Sequence, residues 1–413
     1  MGMAQISSIN ANKILGLFTK HQVLTSVLII SFYRIFFMWH LNITTARQDE
    51  VQWLPQSNVP FTRYVLLRDS GYPVPALRAA LWIIDRAFGP HAIAIVHILA
   101  AVICGLSLST LLTLKLLNIQ TRWLLVIILG MYPSADLLLW HNISYFTFIG
   151  AFVLIGKYLV DNCTEHLPSS KYFWPTLILF IAMSSKPQLL GAIWLSLLYV
   201  IFSTRKDFKK RIPINLLISS IIMMITLLII FGRQSSSSLN LHLGHAHEYF
   251  LRLLLTVPSI IGGLLIPIIS TALVGALRKH GDLGALLILK SIIMSIGALS
   301  VCYTLLQKNI RKNLKESKNW IRILSIGAVP IIIGNSVFPN SGWSDTNYLS
   351  GTCTICLYQR HYLPVLFIAI MLASIIITKA LSVRIINRIF LILIVQEFTL
   401  NLLLYGRLYN PNY

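Results

Sequence analysis

The stretch LTSVLIISFYRIFFMWHL, residues 24–41, is a run of about eighteen mostly apolar residues. A helix of about 20 apolar residues is long enough to cross a hydrocarbon core of about 30 Å. The run contains Arg34 and no small-residue cleavage site, so it predicts a retained signal anchor and not a removed signal peptide.

Comparable runs recur along all 413 residues, of which 56% are hydrophobic and 11% charged, with a mean hydropathy of +0.74. That composition is typical of an integral membrane protein. We expect an all-α, polytopic transmembrane helical bundle of about eleven spans, within about 10 to 13, forming a single membrane domain over residues 1–413. The candidate spans are residues 24–41, 91–114, 123–140, 143–160, 172–185, 188–203, 213–232, 284–306, 320–337, 362–379 and 387–406.

The net charge of +21 comes mainly from short loops between these runs, as in STRKDFKKR, residues 203–211. Lys and Arg collect in cytoplasmic loops and hold them there, so the charge requires no nucleic acid as partner. The pattern predicts a cytoplasmic N-terminus in a cell membrane, which we take to be a bacterial inner membrane. Residues 249–277, interrupted by Pro and Gly, fit this pattern as non-spanning outer helices or a re-entrant hairpin.

Three segments then face outward, residues 42–90, 232–283 and 338–361. The first contains ALRAALWIIDRAFG, residues 76–89, which has the periodicity of an amphipathic helix in the plane of the interface. Its apolar positions are Leu77, Leu81, Ile84 and Phe88, opposite Arg78, Asp85 and Arg86.

The first outer segment also places two adjacent carboxylates, Asp49 and Glu50, near Arg47 and Arg63 in an acid-poor chain. Carboxylates accept hydroxyl protons and arginines hold phosphate, so the set suits a hydroxyl-rich, phosphorylated molecule. A solvated loop whose acids only pair with Arg47 explains the same residues equally well.

Three short motifs resemble the GT-C class of membrane glycosyltransferases. QDEVQW, residues 48–53, is similar to the Asp-Glu-Val segment of its protein mannosyltransferase branch, and IAMSSKPQLLGAIW, residues 181–194, resembles its paired helices joined by a Ser/Thr-Lys-Pro/Gly turn. YQRHYLPVL, residues 358–366, resembles its Arg-Tyr-Leu-Leu-Pro segment, with His361 inserted. The resemblance implies that Asp49 or Glu50 is the catalytic base or positions the acceptor. It also implies that the donor is a sugar linked to polyprenyl phosphate.

Candidate phosphate contacts are Lys186, between two apolar runs, and Arg360 with His361 and Tyr362. A charge at membrane depth is costly unless it reaches water or an anion. The alternatives are a snorkelling lysine that fixes a turn and an anchor at the start of a helix.

A divalent cation is a weaker possibility at His242, His245, His247 and Glu248, whose spacing matches no standard metal signature. Cys353 and Cys356 are spaced for a small disulfide in the last outer segment. Asp136 and Glu397 are secondary candidates because they lie within predicted spans, and Asp345 is another because it lies beside outer aromatic residues. For Glu397 we expect an ion pair inside the bundle, with Arg34 or Lys290 as the partner.

The sequence thus predicts transfer of a sugar from a polyprenyl-phosphate carrier to a cell-surface glycan, glycolipid or protein, at the outer face of the membrane. The absence of a Gly-rich nucleotide loop favours a lipid-linked donor. Two alternatives remain, an O-antigen-type polysaccharide polymerase and a non-catalytic flippase or transporter of lipid-linked glycans.

Overall fold

The computed structural model describes residues 21–40, 59–66, 68–69, 72–73, 75–131, 143–160, 177–179, 187–203, 211–232 and 317–337, with short helical pieces within 363–375 and at 388, 391 and 395. This part is helical apart from one hairpin of two-residue strands. Its main elements are α1 (Gln22–His40), α2 (Phe61–Val65), β1 (Arg68–Asp69), β2 (Tyr72–Pro73), α3 (Pro75–Phe88), α4 (Ala92–Ser109), α5 (Ile119–Gly130), α6 (Ile143–Val160), α7 (Pro187–Ser203), α8 (Arg211–Gly232) and α9 (Lys318–Val337).

The apolar runs do form helices where the structure describes them. The run 143–160 coincides with α6, and the runs 188–203, 213–232 and 320–337 fall within α7, α8 and α9. Only parts of runs 172–185, 362–379 and 387–406 are described, and they are helical. Residues 249–277 and 284–306 lie outside the described residues.

One helical segment among the described residues is long and apolar enough to cross a membrane. It covers Pro75–Thr113, 39 residues that comprise α3, the 3-10 turn Gly89–His91, α4 and a second 3-10 turn. Five shorter apolar helices, each of 10–17 residues, accompany it. The predicted helical character is therefore confirmed, and the number of spans stays a prediction.

The helices cross where small residues let their backbones approach. A Cβ on Gly105 of α4 would lie 3.0 Å from the Cα of Val27 in α1. A Cβ on Gly150 of α6 would lie 3.1 Å from the Cα of Ser107 in α4. Close crossings at small residues are typical of helices that pack inside a membrane.

Contacts between helices show which of them run parallel and which run antiparallel. Gly150 lies against Ser107, and Ile143 packs in one cluster with Ala92 and Val96, so α4 and α6 run parallel. Helix α9 is antiparallel to α7, because Gly191 lies against Pro330 near one end and Tyr199 bonds Arg322 near the other.

Helices α4, α6 and α7 all begin at one end of the bundle, and this end is called the α3 end. Helix α9 finishes there, and so does α1, because Val27 contacts Gly105 in the second half of α4 whereas Arg34 reaches Phe146 near the start of α6. The opposite end, which contains the connection from α4 to α5, is called the turn end.

The core lies between α4, α6, α7 and α9. Gly156 and Gly327 face the rings of Trp320 and Phe152, so the aromatic side chains of α6 and α9 fill the space beside each other's glycines. Phe152 also meets Phe367 edge to face, with ring centroids 6.1 Å apart.

Helix α3 forms as expected, but its faces differ from the prediction. Leu77, Leu81 and Ile84 are buried against α4 and Ile143, so the apolar stripe packs on protein. Arg78, expected on the polar face, is only 3% exposed, because α2 covers it and Tyr64 lies beside it. Phe88, expected on the apolar face, is 48% exposed at the end of the helix.

Candidate functional site

A short helix and a hairpin bring aromatic side chains onto α3. Helix α2 follows Pro60, whose carbonyl accepts a hydrogen bond from the amide of Tyr64 at 2.9 Å. The hairpin pairs Asp69 with Tyr72, and the chain then enters α3 at Pro75. Proline suits the first turn of a helix, because the amide it lacks would have no intrahelical partner there.

Arg78, Trp82 and Arg86 occupy every fourth position of α3 and therefore form one stripe. Phe61 meets Trp82 edge to face with centroids 5.0 Å apart. The guanidinium of Arg86 lies 5.3 Å from the centre of the Trp82 ring. The stripe and its partners from α2 are called the arginine–aromatic cluster: Phe61, Tyr64, Arg78, Trp82 and Arg86.

Arg78 is the buried cation of this cluster. Its guanidinium lies 5.3 Å from the ring centre of Tyr64, which is 1% exposed. Burial raises the pKa of Tyr64 from 10.0 to about 12, and the charge of Arg78 and its hydrogen bond to the phenol oppose that rise. The phenol is therefore neutral at physiological pH and serves as a hydrogen-bond partner for Arg78.

Trp82 stands between the two arginines. Its indole nitrogen Nε1 is buried and has no hydrogen-bond partner within the described residues. A buried unsatisfied donor costs about 1 to 3 kcal/mol, so the ring packing around Trp82 has to offset this cost. The aromatic contacts with Phe61 and Arg86 supply part of that packing.

The cluster is suited to hold an anion beside an aromatic surface. A guanidinium stacked on a ring keeps its N–H groups in a fixed plane, and that fork matches a phosphate or a carboxylate. Arg86 is exposed, whereas Arg78 is buried beneath the surface. Of the two, Arg86 is therefore the one in contact with solvent.

Arginine at the turn end is used differently. Arg122 donates from Nε to the carbonyl of Leu117 at 2.7 Å and from NH1 to the carbonyl of Leu112 at 2.8 Å. Asn118 caps α5 by accepting from the amide of Thr121 at 2.8 Å. The Arg122 bonds satisfy one carbonyl of the 3-10 turn that follows α4 and one carbonyl of the connection, and the Asn118 bond satisfies an amide at the start of α5. Together they hold the α4 to α5 connection.

A further cation, Arg34, lies inside the bundle. It is 3% exposed, and its guanidinium is 4.7 Å from the ring centre of Phe146. The predicted pairing of Glu397 with Arg34 or Lys290 stays a prediction, because Glu397 and Lys290 lie outside the described part of the chain.

Of the predicted site residues, only Arg63 is described. It is exposed in the last turn of α2, beside the buried Tyr64. The other predicted site residues lie outside the described residues, and their roles stay predictions: Arg47, Asp49, Glu50, Lys186, His242, His245, His247, Glu248, Arg360, His361 and Tyr362. The same holds for Asp136, Asp345, Cys353 and Cys356.

The described helix ends limit where the predicted loops attach. His40 ends α1, Pro187 begins α7 and Val337 ends α9, all at the α3 end. The described residues next in sequence to the predicted segments of Asp49, Lys186 and 338–361 therefore lie at the same end of the bundle as the arginine–aromatic cluster.

The described residues contain no group of three or more His, Cys, Asp or Glu side chains arranged to hold a metal ion. The predicted divalent cation therefore stays untested, since its four candidate ligands lie outside the described ranges.

Sequence reasoning missed Tyr64 and Trp82 as members of a site. A signal for Trp82 was present, because Arg78, Trp82 and Arg86 repeat every four residues. No comparable signal identified Tyr64, since the fold of the hairpin decides which residue of α2 faces α3.

The chain matches no protein-family model, no curated protein sequence and no solved structure.

Proposed function

We propose that this protein is a polytopic membrane glycosyltransferase of the GT-C type, which transfers a sugar from a polyprenyl-phosphate carrier to a glycan, glycolipid or protein. The α3 end would face outward, and the turn end would face the cytoplasm. The observation that carries the proposal is that His40, Pro187 and the arginine–aromatic cluster lie at the same end of the bundle, because His40 and Pro187 are the described residues that flank the segments of Asp49 and Lys186.

Charge supports this orientation. Lys115, Lys157, Lys318 and Arg322 lie at the turn end, where the positive-inside rule expects cations. Arg122 and the first residue of α8, Arg211, add to these, which makes six described Lys and Arg at the turn end against four, Arg63, Arg68, Arg78 and Arg86, in α2, the hairpin and α3.

Exposed apolar stripes support insertion of the shorter helices in lipid. On α1, Leu24, Leu28 and Phe32 recur every four residues and are 58%, 60% and 73% exposed. Helix α8 exposes Ile218, Ile222, Ile225 and Ile229 in the same manner. Such a stripe in water would be unfavourable, whereas hydrocarbon chains cover it without cost.

In the proposed reaction, Asp49 or Glu50 accepts the proton of an acceptor hydroxyl as its oxygen bonds to the anomeric carbon of the sugar. The bond from that carbon to the phosphate oxygen breaks, and its electron pair leaves with the polyprenyl phosphate. Arg47, Arg63, Lys186 and Arg360 would balance the negative charge of the leaving phosphate.

The test uses purified full-length protein in vesicles with a radiolabelled polyprenyl-phosphate sugar. Asp49→Asn and Glu50→Gln are assayed separately, and at least one should lose about 10² to 10⁴-fold in transfer rate, as expected when a general base is removed. Glu316→Gln is the matched control and should keep full activity, because Glu316 precedes by two residues the helix α9, which begins at the turn end.

Full activity in both variants would exclude these acids as the base. Movement of label across the bilayer without transfer would identify a transporter. Growth of a repeating chain from a diphosphate-linked oligosaccharide would identify a polymerase.

A further inference from the structure

We propose that α2 and α3 form a docking surface for an anionic lipid membrane, in which Arg86 contacts lipid phosphate while Phe61 and Ile83 enter the headgroup region. The surface, called the Trp82 surface, consists of Phe61, Trp82, Ile83 and Arg86. The inference rests on the membrane placement in the proposed function, but it does not require sugar transfer.

The apolar face of α3 is not available to lipid. Leu77, Leu81 and Ile84 are 2%, 4% and 8% exposed, because they pack against α4 and α6. An amphipathic helix normally turns its apolar stripe toward the acyl chains. Any contact of α3 with a membrane must therefore use another face.

Phe61, Ile83 and Arg86 supply another exposed face. Ile83 is 57% exposed and Phe61 40% exposed, and Arg86 is also exposed. Phe61 contacts Trp82, and Trp82 contacts Arg86. Ile83 and Arg86 are three residues apart on one helix and are therefore neighbours on its surface.

The position of α3 favours a bilayer as the occupant. Helix α3 leads through Gly89–His91 into α4 and is part of the segment that is long and apolar enough to cross a membrane. Gly89 has φ of 53°, a conformation that favours glycine, and it ends α3 before α4 begins. Within this segment Gly89 separates α3 from α4, so when α4 crosses the membrane Arg86, three residues before Gly89, lies at the depth of the lipid headgroups.

The chemistry of the face favours anionic lipid. Within α2, the hairpin and α3, the arginines Arg63, Arg68, Arg78 and Arg86 outnumber the acids Asp69 and Asp85. Tryptophan and arginine are common at membrane interfaces, where the ring lies among headgroups and the guanidinium binds phosphate. Stacking on Trp82 orients Arg86 for that contact.

The experiment measures lipid binding by the full-length protein in neutral detergent. Phosphatidylglycerol, phosphatidylcholine or inorganic phosphate is titrated, and the rise in Tm gives an apparent affinity. Phosphatidylglycerol should stabilise the wild type most. Arg86→Gln should weaken its apparent affinity about fivefold, since one cation near an anionic surface contributes about 1 kcal/mol.

Arg322→Gln is the matched control, because Arg322 is also exposed and also lies beside an aromatic residue, Tyr199, but at the turn end. Its apparent affinity for phosphatidylglycerol should fall less than that of Arg86→Gln, because Arg322 has no exposed apolar residue three or four positions away on α9 that compares with Ile83. If Arg86→Gln does not fold, Ile83→Ser replaces an exposed apolar side chain of the same surface and should also weaken lipid binding.

Wild-type affinity in Arg86→Gln, or in Ile83→Ser where the first does not fold, would overturn the inference, as would an equal loss in Arg322→Gln. Equal stabilisation by inorganic phosphate would indicate an anion site without a membrane, and a changed oligomeric mass would indicate that a second copy covers the surface. If the wild-type protein binds phosphatidylglycerol as expected but transfers no sugar, only the proposed function is contradicted. Intact transfer with unchanged lipid binding in Arg86→Gln would contradict only this inference.

Discussion

The two ends of the bundle both contain arginine, but they use it for different purposes. At the turn end, Arg122 donates to two carbonyls and closes a connection between helices. At the α3 end, Arg78 and Arg86 lie against aromatic rings. A carbonyl fixes a guanidinium by accepting from its N–H donors, whereas a ring contacts the face of the guanidinium.

This difference separates a structural end from an end suited to recognition. Substitution of Arg122 at the turn end should lower the stability of the fold and leave binding unchanged. At the α3 end, the buried Arg78 should affect stability, and the exposed Arg86 should affect binding. The following predictions test this division, from the largest expected effect to the smallest.

Arg78→Ala should destabilise the protein most, by about 2 to 4 kcal/mol, because it removes a buried cation–π contact and a charged hydrogen bond to Tyr64. The measurement is thermal unfolding of the full chain in neutral detergent. Arg63→Ala, an exposed arginine on α2, is the control and should change the Tm little. An unchanged Tm in Arg78→Ala would remove the distinction between buried and exposed arginines of the cluster.

Tyr64 should make the α3 end sensitive to alkali. The pKa of Tyr64 is raised to about 12 in the folded protein, so the fold holds this proton more tightly than the unfolded chain does. The associated stability is complete below about pH 10 and is lost as the pH rises toward about 12, with a maximum loss of about 3 kcal/mol.

Tyr64→Phe should therefore show a smaller fall of Tm between about pH 9.5 and 11.5 than the wild type, because it has no phenol to ionise. Parallel Tm curves for the two proteins over that range would mean that Tyr64 titrates as an ordinary tyrosine.

Arg122→Ala should cost about 1 to 3 kcal/mol, because the carbonyls of Leu112 and Leu117 lose their donor. Sugar transfer and lipid affinity, measured at a temperature where the variant is folded, should not change. Lys115→Ala changes an exposed cation in the same connection and should leave the Tm near that of the wild type. A specific loss of transfer in Arg122→Ala would place function at the turn end.

Arg322→Gln should have the smallest effect, below about 0.5 kcal/mol, because its hydrogen bond to the Tyr199 hydroxyl is 3.2 Å long and exposed. The same unfolding assay measures it. A loss as large as that of Arg122→Ala would show that exposed arginines also stabilise the turn end.

Part of the candidate site followed from sequence periodicity. The apolar spacing of Leu77, Leu81 and Ile84 identified both a helix and its buried face, because side chains three and four residues apart share one side of a helix. The burial of Arg78 did not follow from this spacing, since it depends on α2, which the hairpin separates from α3 in the sequence. Periodicity assigned Arg78 to a face, but packing between elements decided whether that face meets solvent.

The sequence by itself determined where the helices form. Long apolar runs free of proline and of most charges favour helices, because a helix satisfies its backbone hydrogen bonds within itself. Helices α6, α7 and α8 accordingly begin and end near the limits of their apolar runs.

Only the tertiary structure decided which helix ends meet and which face of α3 is covered. Those features depend on contacts between residues far apart in the chain, such as Val27 with Gly105 and Phe61 with Trp82. Local spacing carries no information on such pairs, because their free energy is gained only when two separate elements are already in place.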